Sequence, residues 1–139
     1  VRSEIADYLA DDTTLMALLT GGVYTGTEIS RQNTPDAFDE SGEILPCALV
    51  TEESDTQAGP FTEAGNVSTR LFVAVFFYQR VGYDTIDAAM DRTLALLQRA
   101  KLAAGTWEIA WADDVRDQRD EAMRCSMGMS RYVATRKRG

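Results

Sequence analysis

Histidine is missing from this sequence of 139 residues, and with it the commonest general base and the commonest zinc ligand. Its serines therefore lack their usual activator, and Cys47 and Cys125 have no histidine beside them. A phosphate-cradling loop is missing too, because "TGGVYTG", Thr20 to Gly26, has neither the lysine nor the spacing of a P-loop. Acidic pairs occur at Asp11 and Asp12, Glu52 and Glu53, and Asp113 and Asp114. Adjacent strand residues point to opposite faces, whereas glycosidase chemistry needs two carboxylates facing across a cleft. The "DESGE" stretch, Asp39 to Glu43, has oxygens but not the ordered ligand spacing of a calcium loop. The sequence thus offers no catalytic, cofactor-binding or metal-ligating residues, and an enzyme is not expected.

Positive charge is scarce: 14 Lys and Arg stand against 22 Asp and Glu, a net charge of -8. That argues against a surface that grips nucleic-acid phosphates. The basic cluster Arg136, Lys137 and Arg138 reads as a solvated tail. No run approaches the ~18 apolar residues that cross a bilayer, and no charged-then-apolar leader opens the chain, so a soluble protein without an export signal is expected. The two cysteines read as small core residues of a reducing compartment. Whether they are neighbours is left open. A 45% hydrophobic and 26% charged composition is that of a folded chain, and its length fits one domain.

What is present is a set of periodic segments. "SEIADYLADDTTLMALLTGG" reads as a helix broken in the middle, with stripes at Ile5, Tyr8 and Leu9 and at Leu15, Leu18 and Leu19. Asp and Thr of "DDTT" can cap the second half, and Gly21 and Gly22 stop it. A short extended piece, "VYTGTEIS", precedes a long surface loop at about 30–45. "PCALVTEE" is a strand, and a polar tip at about 55–67 joins it to "TRLFVAVFFYQ" as a hairpin. A helix from Asp84 to about Ala100 carries one apolar stripe through Ile86, Ala89, Met90, Thr93, Leu94 and Leu97. "GTWEIAWADD" and the last strand make a second hairpin, with "DQRDE" as its turn. In that last strand Met123, Cys125, Met127, Met129 and Val133 alternate with Arg124, Ser126, Gly128, Ser130 and Tyr132. The methionine side reads as core filler opposite a helix. The sum is an α+β domain: a mostly antiparallel sheet of about four to five strands, two main helices on one face, in the order helix, hairpin, helix, hairpin.

The most apolar strand has no polar face. Leu71, Val73, Val75 and Phe77 point one way, and Phe72, Ala74, Phe76 and Tyr78 the other. The Asp84–Ala100 helix can cover the first set. The second is left for the small residues Ser126, Gly128 and Ser130 of its own sheet or for a neighbouring subunit. Phe72, Phe76 and Tyr78 are therefore the candidate self-association residues.

The order "IADYLADDTTLMALLTGGVYTG", "LPCALVTEE", a variable hairpin tip, "STRLFVAVFFYQR" and "YDTIDAAMDRTLALLQ" resembles the tail terminator, or tail completion, proteins of long-tailed bacteriophages. The resemblance spans roughly Ile5 to Gln98. Cys47 departs from it, standing where the family often has an aromatic, and so does the loop from Arg31, which is longer than the family's. The resemblance implies a non-enzymatic virion protein, located at the head-proximal end of the tail or the neck, that forms a homo-oligomeric ring, commonly a hexamer. Such a ring caps the finished tail tube and presents a surface for head joining. Its implied partners are its own copies, the tail tube protein and a head-completion or connector protein, with DNA passing through unbound and no membrane involved. Phe61, Thr62 and Glu63 on the hairpin tip are the candidate tail-tube contact. Two alternatives stand beside this: a head-closure or neck connector of the same virion, and a small cytosolic α+β protein that binds a ligand between sheet and helices.

Overall fold

The computed structural model describes residues 1–57, 67–103 and 105–138. Helix α1 (Arg2–Ala10) and helix α2 (Thr13–Leu18) precede strand β1 (Gly22–Thr25). Strands β2 (Cys47–Gln57) and β3 (Val67–Gln79) follow, then helix α3 (Asp84–Leu97) and strands β4 (Lys101–Leu102), β5 (Trp107–Asp120) and β6 (Cys125–Arg138). The strands form a six-stranded sheet in the order β1-β2-β3-β6-β5-β4. All pairings are antiparallel except β1 with β2. The expected α+β class with a mainly antiparallel sheet holds, while the sheet is wider than the four or five strands anticipated and carries three helices. The added strands are the short extended piece at Val23, which pairs in parallel with β2, and β4, which lengthens the sheet by two residues.

The break between α1 and α2 follows from the sequence. Asp12 is extended, at φ -86° and ψ 114°, and its carboxylate accepts from the Leu15 amide at 2.8 Å, the N-cap bond that starts a new helix. Gly22, at φ +97°, turns the chain into β1 through the left-handed region that a side chain would disfavour. Tyr8 was placed on the buried stripe of α1, but Ile5, Ala6 and Leu9 take that role and Tyr8 is 40% exposed.

Helices α1, α2 and α3 lie on one face. Ile5 and Leu9 of α1, Leu15 of α2, and Ile86, Met90 and Leu97 of α3 form one core with Leu71, Val73, Val75 and Phe77 of β3. The inward set of the apolar strand is thus as expected. The neighbouring strand is inverted relative to expectation. Phe77 stands opposite Gly128, Val75 opposite Ser130 and Val73 opposite Tyr132, so the small residues lie beneath the helices and the methionines face away. Space decides this: a Cβ on Gly128 would come within 2.8 Å of Ile86 Cγ2 and of Met90 Sδ. A helix that approaches so closely leaves no room for methionine.

Helix α3 is shorter than its pattern suggests. It ends at Leu97 because Gln98 turns extended and Arg99 takes φ +63°. Its start is capped neither by Asp84 nor by Thr85. Tyr83 is the N-cap residue but its side chain makes no capping bond, and the Gln79 Oε1 of β3 accepts from the amides of Thr85 and Ile86 instead, both at 3.1 Å. Strand β5 runs through "DQR" to Asp120, where a turn had been expected. Two irregularities of register, between Trp111 and Asp113 and between Val115 and Gln118, absorb the polar residues without ending the ladder.

Candidate interaction surface

The reverse face of the sheet, away from the helices, carries the unabsorbed apolar residues. Part of it is covered from within the chain. Because β1 and β2 are parallel neighbours, the segment between them must return along the sheet before β2 can begin. This return is the long loop, and it folds back over the reverse face with Ile29, Ala37 and Ile44 packed among Cys47, Leu49, Tyr78 and Cys125. The loop is built by its own bonds. Arg31 donates from Nε and NH2 to the Gly42 carbonyl, the Thr34 hydroxyl accepts from the Ser30 amide, and Asp39 Oδ1 accepts from the amides of Ser41 and Glu43. That use of Asp39 organises a turn, and no cluster of three or more potential metal-ligating residues occurs among the described residues.

Tyr78 is therefore only 6% exposed, shielded inside the subunit, and burial pushes its hydroxyl pKa well above the usual value. Burial likewise raises the Cys47 thiol to about 12 and the Cys125 thiol to about 11. The two cysteines are free and sit on β2 and β6, the strands that flank β3. Two strand spacings and a two-residue offset in register put their Cα atoms more than ~10 Å apart, too far for a disulfide.

Phe72 and Phe76 remain half-buried, Phe76 packed against the edge of the loop-covered cluster. The register aligns three rows across β3, β6 and β5. Phe76, Met129 and Val115 form one, and Phe72, Val133 and Ala110 form another. Between them runs the row Ala74, Arg131 and Asp113. There the Arg131 guanidinium grips Asp113 with two nitrogens, Nε at 2.7 Å and NH2 on the second oxygen, and this pairing holds the Asp113 carboxyl below the usual carboxylate range. The outcome is two apolar ridges divided by a neutralised ion pair. Among the sequence candidates, Phe72 and Phe76 stand on this surface and Tyr78 does not, while Phe61, Thr62 and Glu63 lie outside the described residues. Met129 and Val133 were missed as surface residues because the alternation of β6 identifies two sets without saying which one faces the helices.

The reverse-face thiols are protonated at neutral pH and buried. No helix among the described residues is long and apolar enough to cross a membrane.

No family model matches this sequence, and no curated protein does. Among solved structures, the chain is similar to one from the virion of a native gene transfer agent particle. The match covers 100% of this chain and 95% of that one, at 16% identity and a TM-score of 0.64, so the two share a fold along their whole length.

Proposed function

We propose that the chain is a structural protein of a phage-like virion and, more finely, that it forms the ring that caps the tail tube and receives the head. The fold shared end to end with a virion chain is the observation that carries the first part. The finer part draws on the resemblance to tail terminators and on the two ridges of the reverse face, whose apolar side chains are left half-covered in one copy.

Removing a further ~100 Å² of apolar surface from water is worth ~2.5 kcal/mol, less than the ~4–15 kcal/mol that association costs, so the Phe72 and Phe76 rows contribute one part of a larger subunit contact. The Asp113 and Arg131 pair between them is neutral overall and is compatible with a dry interface. Phe61, Thr62 and Glu63 are proposed as the contact to the tail tube.

The test is assembly. Phe76→Asp should leave a folded subunit, by circular dichroism, that no longer forms rings in light scattering or electron microscopy. Rings of normal size from this variant would remove the self-association surface. Loss of the 58–66 tip should abolish binding to tail tubes while rings persist. Rings that bind the portal end of filled heads and ignore tail tubes would shift the protein to a head-closure position in the same virion.

A further inference from the structure

A cleft of about 340 Å³ opens where the β1–β2 loop meets the turn between β5 and β6. Its floor is apolar, with Ile29 and Ile44 buried and Phe38 and Met123 half-buried. Three arginines line the cleft, Arg31, Arg80 and Arg124, against one carboxylate, Glu43. In a chain of net charge -8 this is a local reversal of sign.

Each arginine is differently engaged. Arg31 is fixed by the Gly42 carbonyl at 3.0 and 2.6 Å and lies over the Phe38 ring at 5.1 Å. Arg80 meets Glu43 at 3.6 Å, with both side chains well exposed. The Arg124 guanidinium has no hydrogen bond or ion pair among the described residues. Net positive charge around an apolar floor is complementary to an acidic segment that carries one bulky side chain. A nucleic-acid strand fits less well, since three cations with Glu43 among them are few against the charge of the chain.

Such a segment exists in every copy. Helix α1 and the Asp11 that ends it expose Glu4, Asp7 and Asp11 at spacings of three and four residues, along one side, with the exposed Tyr8 ring among them. Glu4 already meets the N-terminal ammonium at 3.2 Å, which leaves Asp7 and Asp11 as the open carboxylates. We propose that the cleft of Arg31, Arg80 and Arg124 receives the α1 face of a second copy, Tyr8 over the apolar floor and the carboxylates on the guanidinium groups. This deepens the ring reading and rests on it. The α1 face belongs to the helix layer and the cleft to the reverse side of the sheet, so the two surfaces differ. Contact between unlike surfaces is heterologous, each copy giving one and receiving one, which builds a ring where the rotation between copies closes.

Charge reversal tests it. Arg80→Glu with Arg124→Glu alters two exposed side chains and leaves the Arg31 bonds in place. Asp7→Arg with Asp11→Arg alters the opposing face. Each double variant alone, folded by circular dichroism, should weaken self-association at least tenfold in sedimentation velocity at low salt. An equimolar mixture should restore it, because every contact in the mixture again joins opposite charges. Assembly of either double variant at the parent's affinity, or failure of the mixture to recover, overturns the contact. If the charge variants assemble while Phe76→Asp does not, the ring reading stands and this contact falls. A parent that stays monomeric at every concentration, with and without tail tubes, overturns both. Charge variants that self-associate normally but no longer bind tail tubes would assign the cleft to another virion protein and overturn it as well.

Discussion

The Asp12 carboxylate holds the Arg92 guanidinium with both oxygens, at 2.7 and 2.9 Å, while its Oδ2 also accepts from the Leu15 amide at 2.8 Å. One side chain thus starts α2 and ties it to α3, eighty residues away in sequence. This is why the broken N-terminal helix sits as it does on the sheet. Its second half is anchored by charge as well as by Leu15 and Leu19 in the core.

That relationship makes stability sensitive to acid. The Arg92 bond and the Leu15 amide lower the Asp12 pKa to about 2, from a usual 3.8. A carboxylate with a lowered folded pKa contributes fully above its unfolded value and loses that contribution as pH falls through the folded one. Asp12→Asn should therefore melt roughly 2–5 °C below the parent at pH 7, and the difference should shrink between pH 4 and pH 2. Thermal melts at both ends check this, and a constant difference across the range would contradict it.

Gly128 is the point of closest approach between α3 and the sheet. Gly128→Ala drives a Cβ against Ile86 and Met90 at 2.8 Å and should destabilise the fold by about 1–3 kcal/mol in urea titrations. Ser130, two residues along the same face, has room for a side chain because its hydroxyl reaches Asp114 at 2.8 Å. A neutral Gly128→Ala would mean that α3 is not seated where it is described.

These contacts mark the limit of what the sequence discloses. Leu71, Val73, Val75 and Phe77 were legible as one face because residues two apart share a side of a strand, and the Asp84 helix offered them a cover. The identity of the opposite cover was not legible, since Ile29, Ala37 and Ile44 have no common period and are brought together only by the return of the chain from β1 to β2. The two faces of β6 could be separated but not oriented, because their orientation depends on how near α3 comes, a property of packing volume rather than of alternation. The cleft was equally hidden: Arg31, Arg80 and Arg124 are scattered singly through the sequence.

The buried thiols give a third prediction. With Cys47 raised to about 12 and Cys125 to about 11 by burial, both are protonated and shielded at pH 8. A thiol reagent such as Ellman's should react negligibly with the folded protein and with both cysteines of the chain in denaturant. Their raised folded pKa values contribute stability that is complete below the usual thiol value and is lost as pH climbs through about 11 to 12. Rapid labelling of either thiol in the native state would show that the loop does not close over the reverse face.

Gln79 couples the end of β3 to the start of α3 with both ends of its amide. Oε1 accepts from the Thr85 and Ile86 amides, and Nε2 donates to the Val81 carbonyl at 3.0 Å and to Asp84 Oδ1 at 2.6 Å. Gln79→Ala removes the helix's side-chain cap and should cost about 1 kcal/mol at any pH near neutrality. Gln79→Glu separates the two roles. It keeps an acceptor for the two amides, where negative charge at a helix N-terminus is favourable, but places a second carboxylate against Asp84. The Asp84 carboxyl, held below its usual range first by the Gln79 bond, would then lose that support and take up a proton at higher pH. Gln79→Glu should accordingly be weakened at pH 7 and recover toward the parent as the pH falls and one proton bridges the pair, whereas Gln79→Ala should not recover. Parallel pH dependences for the two variants would assign the whole effect to the cap and none to the Asp84 bond.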